Sequence, residues 1–300
     1  TWTALPAALP AMPRLARVAV WNALRLAIAD SEIAPETALG MVEAAIPSET
    51  DDALLIEELR WVITTVVGVY LAPPGRARAL ARVSAACARN LADAAPGSGR
   101  QLAALRGMIA AEPDPGRLRA WLGGAVPGGI AVDPDLRWRI VARLSALGDS
   151  DTLGAEVSAD VSAEGAQHAA RCRALLPDPA AKAEAWRLLM SDAGCANSIL
   201  YATARGFWHP AQGGLTEAYL QRYFDEIPST ARLRSGWVVM RTAALAYPWP
   251  MVADSTLALT DDLLARPDLS SGIRRSVIDA GDDLRRAVVS RKRYGLSAEG

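Results

Sequence analysis

His168 and His209 are the two histidines in 300 residues. Much hydrolytic and metal chemistry relies on this side chain, because its pKa lies near neutral and its uncharged ring binds zinc. Neither stands in an H-E-x-x-H motif. Glu164 and Cys172 lie four residues either side of His168, so the three share one face if the segment is helical. Ligands on consecutive turns would span roughly 12 Å of axis, too far for a single ion. The spacing therefore reads as a surface histidine beside an acidic neighbour. His209 precedes Pro210 and is expected to end a helix, where its charged form would sit well against the negative end of the dipole.

Other chemistry-bearing patterns are equally short of a site. Asp261-Asp262 and Asp282-Asp283 are fragments of Asp-rich magnesium motifs, but neither extends to D-D-x-x-D, and both read as exposed helix faces. Gly97-Ser98-Gly99 lacks the spacing of a nucleophile elbow. No G-x-x-x-x-G-K-[ST] loop occurs. The expectation is a chain with no catalytic residue, metal site or cofactor of its own.

Composition narrows the partners. The formal net charge is −1, with arginines interleaved among acids, so no nucleic-acid footprint is expected. Cys87, Cys172 and Cys195 are odd in number and lack CxxC spacing, which predicts reduced, small core residues in a cytoplasmic protein. The apolar run Trp61–Leu71 is too short to cross a bilayer and follows Glu57, Glu58 and Arg60, so no membrane span is expected. The opening Thr1-Trp2-Thr3-Ala4-Leu5-Pro6 has no basic or apolar signal region. It also lacks an initiator Met, which suggests a piece of a longer polypeptide or a processed chain.

These residues must be positioned by helices. Ala, Leu, Arg and Glu dominate, and hydrophobic residues make up 51% of the chain, enough for a sizeable core. Val18, Trp21, Leu24 and Ile28 fall on one helical stripe, and so do Leu136, Ile140, Leu144 and Leu147. Leu175, Trp186, Leu189, Leu220 and Phe224 belong to further amphipathic stretches. Val62–Tyr70 continues the helical pattern of Leu54–Arg60. Prolines and glycines cut the chain into pieces of roughly ten to twenty residues. Ser48 with Asp51-Asp52, Asp133-Pro134, Asp178-Pro179 and Asp268 with Ser270 suit helix starts. The expected fold class is all-α: about fifteen antiparallel helices in an irregular HEAT/armadillo-like α-solenoid. Residues 1–300 read as one helical-repeat domain. The Gly/Pro-rich loop, with its surroundings at 123–134, is the alternative place for a sub-boundary.

One cluster is denser. In Asn197–Gln212 a helix is expected to end at Arg205-Gly206, followed by Phe207-Trp208-His209-Pro210 in a turn. Two adjacent aromatics there either staple the turn to the core or face a ligand or partner.

At this cluster a family comes into view. The segments are Asp135-Leu136-Arg137-Trp138-Arg139, Leu147-Gly148-Asp149 and Gly165-Ala166-Gln167-His168-Ala169-Ala170-Arg171. They continue with Lys182-Ala183-Glu184-Ala185-Trp186, Gly206-Phe207-Trp208-His209-Pro210-Ala211-Gln212 and Tyr219-Leu220-Gln221-Arg222-Tyr223-Phe224. In this order and spacing they resemble the C-terminal helical domain of actinobacterial-type aminopeptidase N, among the zinc gluzincin aminopeptidases. Arg17-Val18-Ala19-Val20-Trp21 and Ser48-Glu49-Thr50-Asp51 fit more loosely. The family's H-E-x-x-H, third-ligand Glu and Gly-Ala-Met-Glu-Asn are missing, and Gly40-Met41-Val42-Glu43 only echoes the last.

The resemblance implies a non-catalytic domain. It would cap the catalytic domain of the same polypeptide, where zinc would sit, and would enclose a chamber that selects peptide substrates. Arg205, Phe207, Trp208, His209 and Gln212 are the expected substrate-facing wall: Arg205 for a carboxylate, the aromatics for apolar contact, His209 and Gln212 for hydrogen bonds. The alternative is a free-standing helical-repeat scaffold for protein–protein interaction.

Overall fold

A computed structural model describes residue 2 and residues 4–295. Thr1 and Thr3 of the opening segment, and residues 296–300 of the expected domain, lie outside the described residues. Every regular element among the described residues is helical. The contacts gather into two compact units, Thr1–Arg143 with Val289–Gly300, and Leu144–Val288.

The first unit holds α1 (Leu5–Ala8), α2 (Arg14–Ala29), α3 (Glu36–Ala45), α4 (Asp52–Trp61), α5 (Arg76–Asp93), α6 (Gly99–Ala111), α7 (Pro115–Leu122) and most of α8 (Pro134–Ala146). Of its α2 stripe, Trp21, Leu24 and Ile28 are in the core, while Val18 at its start is half-buried. Trp21 meets Trp61 edge-on at 6.4 Å between ring centroids. Asp51 caps α4 through the Leu54 N–H at 2.9 Å, and Asp133 caps α8 through Leu136 N–H at 2.8 Å. Ser98, in the non-elbow Gly-Ser-Gly, caps α6 by accepting from Gln101 N–H at 3.1 Å. A β-carbon at Gly107 would stand 2.7 Å from Cys87 Sγ, so glycine lets α6 lie directly on α5. Val62–Tyr70 continues α4 as a π-helix, the wider i→i+5 form.

The second unit holds α9 (Ser150–Ala159), α10 (Ala163–Leu175), α11 (Pro179–Met190), α12 (Asn197–Phe207), α13 (Gly213–Thr216), α14 (Leu220–Glu226), α15 (Gly236–Leu245), α16 (Asp254–Ala265) and most of α17 (Ser271–Tyr294). Setting aside the single-turn α1 and α13, fifteen α-helices remain among the described residues. Asp178 caps α11 through Ala181 N–H at 2.7 Å, as its sequence suggested. Leu136, Ile140 and Leu144 are buried, but Leu147 lies past the end of α8 and is exposed. Trp186, Phe207, Trp208, Tyr223 and Tyr247 build this unit's core. Gly206 sits where α12 crosses α10: a β-carbon there would collide with the Arg171 carbonyl oxygen and stand 3.0 Å from Ala174 Cβ.

Candidate functional site

The Arg205–Gln212 turn is built by the end of α12. That helix runs on to Phe207 rather than stopping at Arg205-Gly206. Trp208 then turns to extended backbone (φ −88°, ψ 115°), and Pro210 prevents the helix from resuming. Phe207 is wholly buried, Trp208 is 2% exposed and Gln212 is 7% exposed. Arg205 is exposed and His209 half-buried. The two aromatics pack edge-on to each other at 5.0 Å, and Phe207 also meets Trp186 at 5.1 Å. Within the chain they are the staple of the turn, and a fully buried ring cannot offer apolar surface to a peptide. The five expected wall residues therefore divide: Arg205 and His209 reach the surface, while Phe207, Trp208 and Gln212 look inward.

The inward-looking side chains share a task. The last carbonyls of every helix lack intrahelical partners and carry the negative end of its dipole. Trp208 Nε1–H donates to the Ala246 carbonyl at 2.7 Å, at the end of α15. Gln212 Nε2 donates to Leu175 O at 2.8 Å and Ala146 O at 3.3 Å, the ends of α10 and α8. Lys182, on α11, donates to Ala174 O at 2.6 Å and Phe207 O at 2.8 Å, the ends of α10 and α12. Its ammonium also lies 5.3 Å from the Phe207 ring centroid. Lys182 is fully buried, and burial pushes its pKa down to about 8. Side chains from α11 and the turn thus tie four helix ends together. His209 departs from its expected role. Its Nδ1 accepts the Ala211 N–H at 3.3 Å, which requires the ring lone pair rather than a proton at that atom.

The remaining candidates are dispersed. His168 Nε2 stands 3.8 Å from Glu164 Oε1, while Cys172 is buried and its thiol is pushed up to about 11. A thiol so reluctant to ionise, one helical turn beneath the surface pair, does not fit a zinc ligand set. Asp261 pairs with Arg285 at 3.1 Å and Asp282 with Arg286 at 3.0 Å. No cluster of three or more His, Cys, Asp or Glu is placed to hold a metal ion among the described residues. No helix among them is long and apolar enough to cross a membrane.

Comparison with known proteins decides the relationship. A model of the ERAP1-like C-terminal domain matches residues 1–286. This chain belongs to the ERAP1-like C-terminal domain family. It is also 32% identical, over 295 residues, to the aminopeptidase N of Streptomyces lividans. That alignment covers 96% of this chain and 34% of the relative, so the chain spans about a third of the curated relative it matches. The ERAP1-like domain was legible through its ordered helical segments. The buried cation beneath the turn that sequence reasoning missed is Lys182. It stands with Ala185, Trp186 and Leu189 on the apolar face of α11, and a lysine inside such a stripe is a signal for a buried cation.

Proposed function

We propose that this chain is the non-catalytic, substrate-enclosing C-terminal part of a metallo-aminopeptidase. The observation that carries the reading is the match to an aminopeptidase N over 96% of this chain's length and a third of the relative's. In this reading the catalytic zinc is held by another part of the same polypeptide. Stacked helix pairs within each unit, HEAT-like in manner, wall a chamber over the catalytic domain. The wall excludes bulk water and long chains from the hydrolytic centre, and leaves the chemistry to other residues. Arg205 and His209 are the members of the turn that would meet a peptide. The paired aromatics behind them supply rigidity. The three free cysteines support a cytoplasmic setting.

The test uses the longer polypeptide that carries this chain, intact and with this part removed. Aminoacyl chromogenic substrates and peptides of increasing length are offered to both. The intact protein is expected to discriminate by length and the shortened one to lose that discrimination. An unchanged length profile would sink the reading. The chain alone, supplied with zinc, is expected to leave the chromogenic substrates intact.

A further inference from the structure

Most arginines of this chain meet a carboxylate or a helix-end carbonyl, as Arg17 does with Glu49 and Arg234 with the end of α11. Arg205 and Arg241 have neither among the described residues. They stand on α12 and α15, which pack against each other. Neither helix contains an Asp or Glu: α12 reads NSILYATARGF and α15 reads GWVVMRTAAL. The Arg241 guanidinium carbon lies 5.0 Å from the centroid of the Tyr201 ring, and its buried Nε has no hydrogen-bond partner. An aromatic face thus holds this cation in place, where a carboxylate would normally do so.

Helical spacing extends the patch on both sides. Arg205 is one turn beyond Tyr201 on α12, and Trp237 is one turn before Arg241 on α15. Trp237 is 64% exposed, an unusual position for the largest apolar side chain. A lone exposed aromatic needs no explanation. Beside two arginines without counter-ions and a half-buried tyrosine, it completes the set of residue types that dominate binding hot spots.

We propose that the α12–α15 face carrying Tyr201, Arg205, Trp237 and Arg241 binds an acidic peptide segment. Guanidinium forks pair with carboxylates in two-pronged fashion, and the Trp237 and Tyr201 rings take the apolar side chains between them. Charge complementarity selects this partner: the face offers two cations and no acid from its own helices. The proposal deepens the peptide-handling reading and rests on it. Its own test is direct binding, whereas that reading is tested by length discrimination, so the two can fail separately.

The probe is an octapeptide of alternating glutamate and leucine with a C-terminal fluorescein, followed by anisotropy. Its lysine–leucine counterpart is the control. The chain is expected to bind the acidic peptide at least tenfold more tightly than the basic one, with affinity falling as salt rises. Arg205→Gln with Arg241→Gln should lose at least tenfold, and Trp237→Ala severalfold. Arg205 and Trp237 are exposed and the half-buried Arg241 keeps a polar side chain in the glutamine variant, so circular dichroism should be unchanged. Equal binding of both peptides, no binding of either, or unaltered affinity in the double variant would overturn the proposal. So would binding by this chain that disappears in the intact longer polypeptide, since the face would then be covered by the rest of that molecule.

Discussion

The Lys182 ammonium donates to the Phe207 carbonyl at 2.8 Å and to Ala174 O at 2.6 Å, so one buried cation joins the ends of α12 and α10. Two opposing effects act on it. Desolvation disfavours the charge, while two helix C-termini favour it. Desolvation wins, and the folded-state pKa falls to about 8 from 10.5.

Lys182→Met separates these effects. The apolar replacement fills similar volume but leaves two helix-end carbonyls without donors. A loss of about 1–3 kcal/mol at pH 7 is expected from urea midpoints. The pH dependence has a definite sign. Between about 8 and 10.5 the folded state has released the Lys182 proton while the unfolded chain still holds it, so this group's contribution to stability rises with pH. The deficit of Lys182→Met should therefore grow by about 1–2 kcal/mol from pH 7.5 to pH 9.5. A deficit that shrinks over this window would show that the ammonium is favoured on folding.

The split within the turn predicts unequal effects of alanine. Phe207→Ala and Trp208→Ala remove wholly buried rings and should each cost about 3–5 kcal/mol. Arg205→Ala, on the exposed side, should stay within about 0.5 kcal/mol of the parent. Thermal or urea melts of the three variants check this. Similar losses at Arg205 and Trp208 would contradict the assignment of the aromatics as a staple.

What the sequence made legible follows from local rules. The stripe of Trp21, Leu24 and Ile28 and the caps Asp51, Asp133 and Asp178 depend on neighbours three or four residues away, and these stand as patterned. The division of the Arg205–Gln212 turn was not legible. Adjacent aromatics at a helix end look the same whether they point inward or outward. The side is decided by α10, α11 and α15, which lie 20 to 40 residues away in sequence. Lys182 was half legible: its place in an apolar stripe marks burial, but the carbonyls that receive it depend on where α10 and α12 end. The π-helical turn of Val62–Tyr70 has no local signal, since its apolar residues suit an α-helix equally well.

Glu58 supplies a second titration. It is 4% exposed on the inner face of α4, with Arg25 Nη2 at 2.8 Å and that guanidinium 5.1 Å from the Trp61 ring centroid. Burial raises its pKa from 4.5 to about 7 despite Arg25. Between those values the folded state holds the Glu58 proton and the unfolded chain has lost it. Its contribution to stability is present below about pH 4.5 and is lost as pH rises through 7. Glu58→Gln keeps the shape and removes the titration. Urea midpoints taken at pH 5, 6, 7 and 8 should show the variant gaining on the parent as pH rises, then holding level. A constant difference across the series would mean that Glu58 stays ionised when buried.

Glycine substitutions test the helix crossing beneath the turn. Gly206→Ala would drive a methyl group into the Arg171 carbonyl, backbone that cannot yield without moving α10 from α12. Separating those helices would also lengthen the Lys182 contacts to Ala174 and Phe207, which lie on either side of the crossing. The expected cost is about 1–3 kcal/mol from overpacking, with the cation's loosened contacts adding to it. Gly154→Ala is the matched control. It lies within α9, exposed, with nothing within 4 Å of an added β-carbon. There alanine should stabilise by about 0.5–1 kcal/mol, because glycine loses more backbone freedom in a helix. Opposite signs in melts of the two variants would locate the strain at the α10–α12 crossing. A stabilising Gly206→Ala would mean that the helices have room to spare and that Lys182 is not what holds them close.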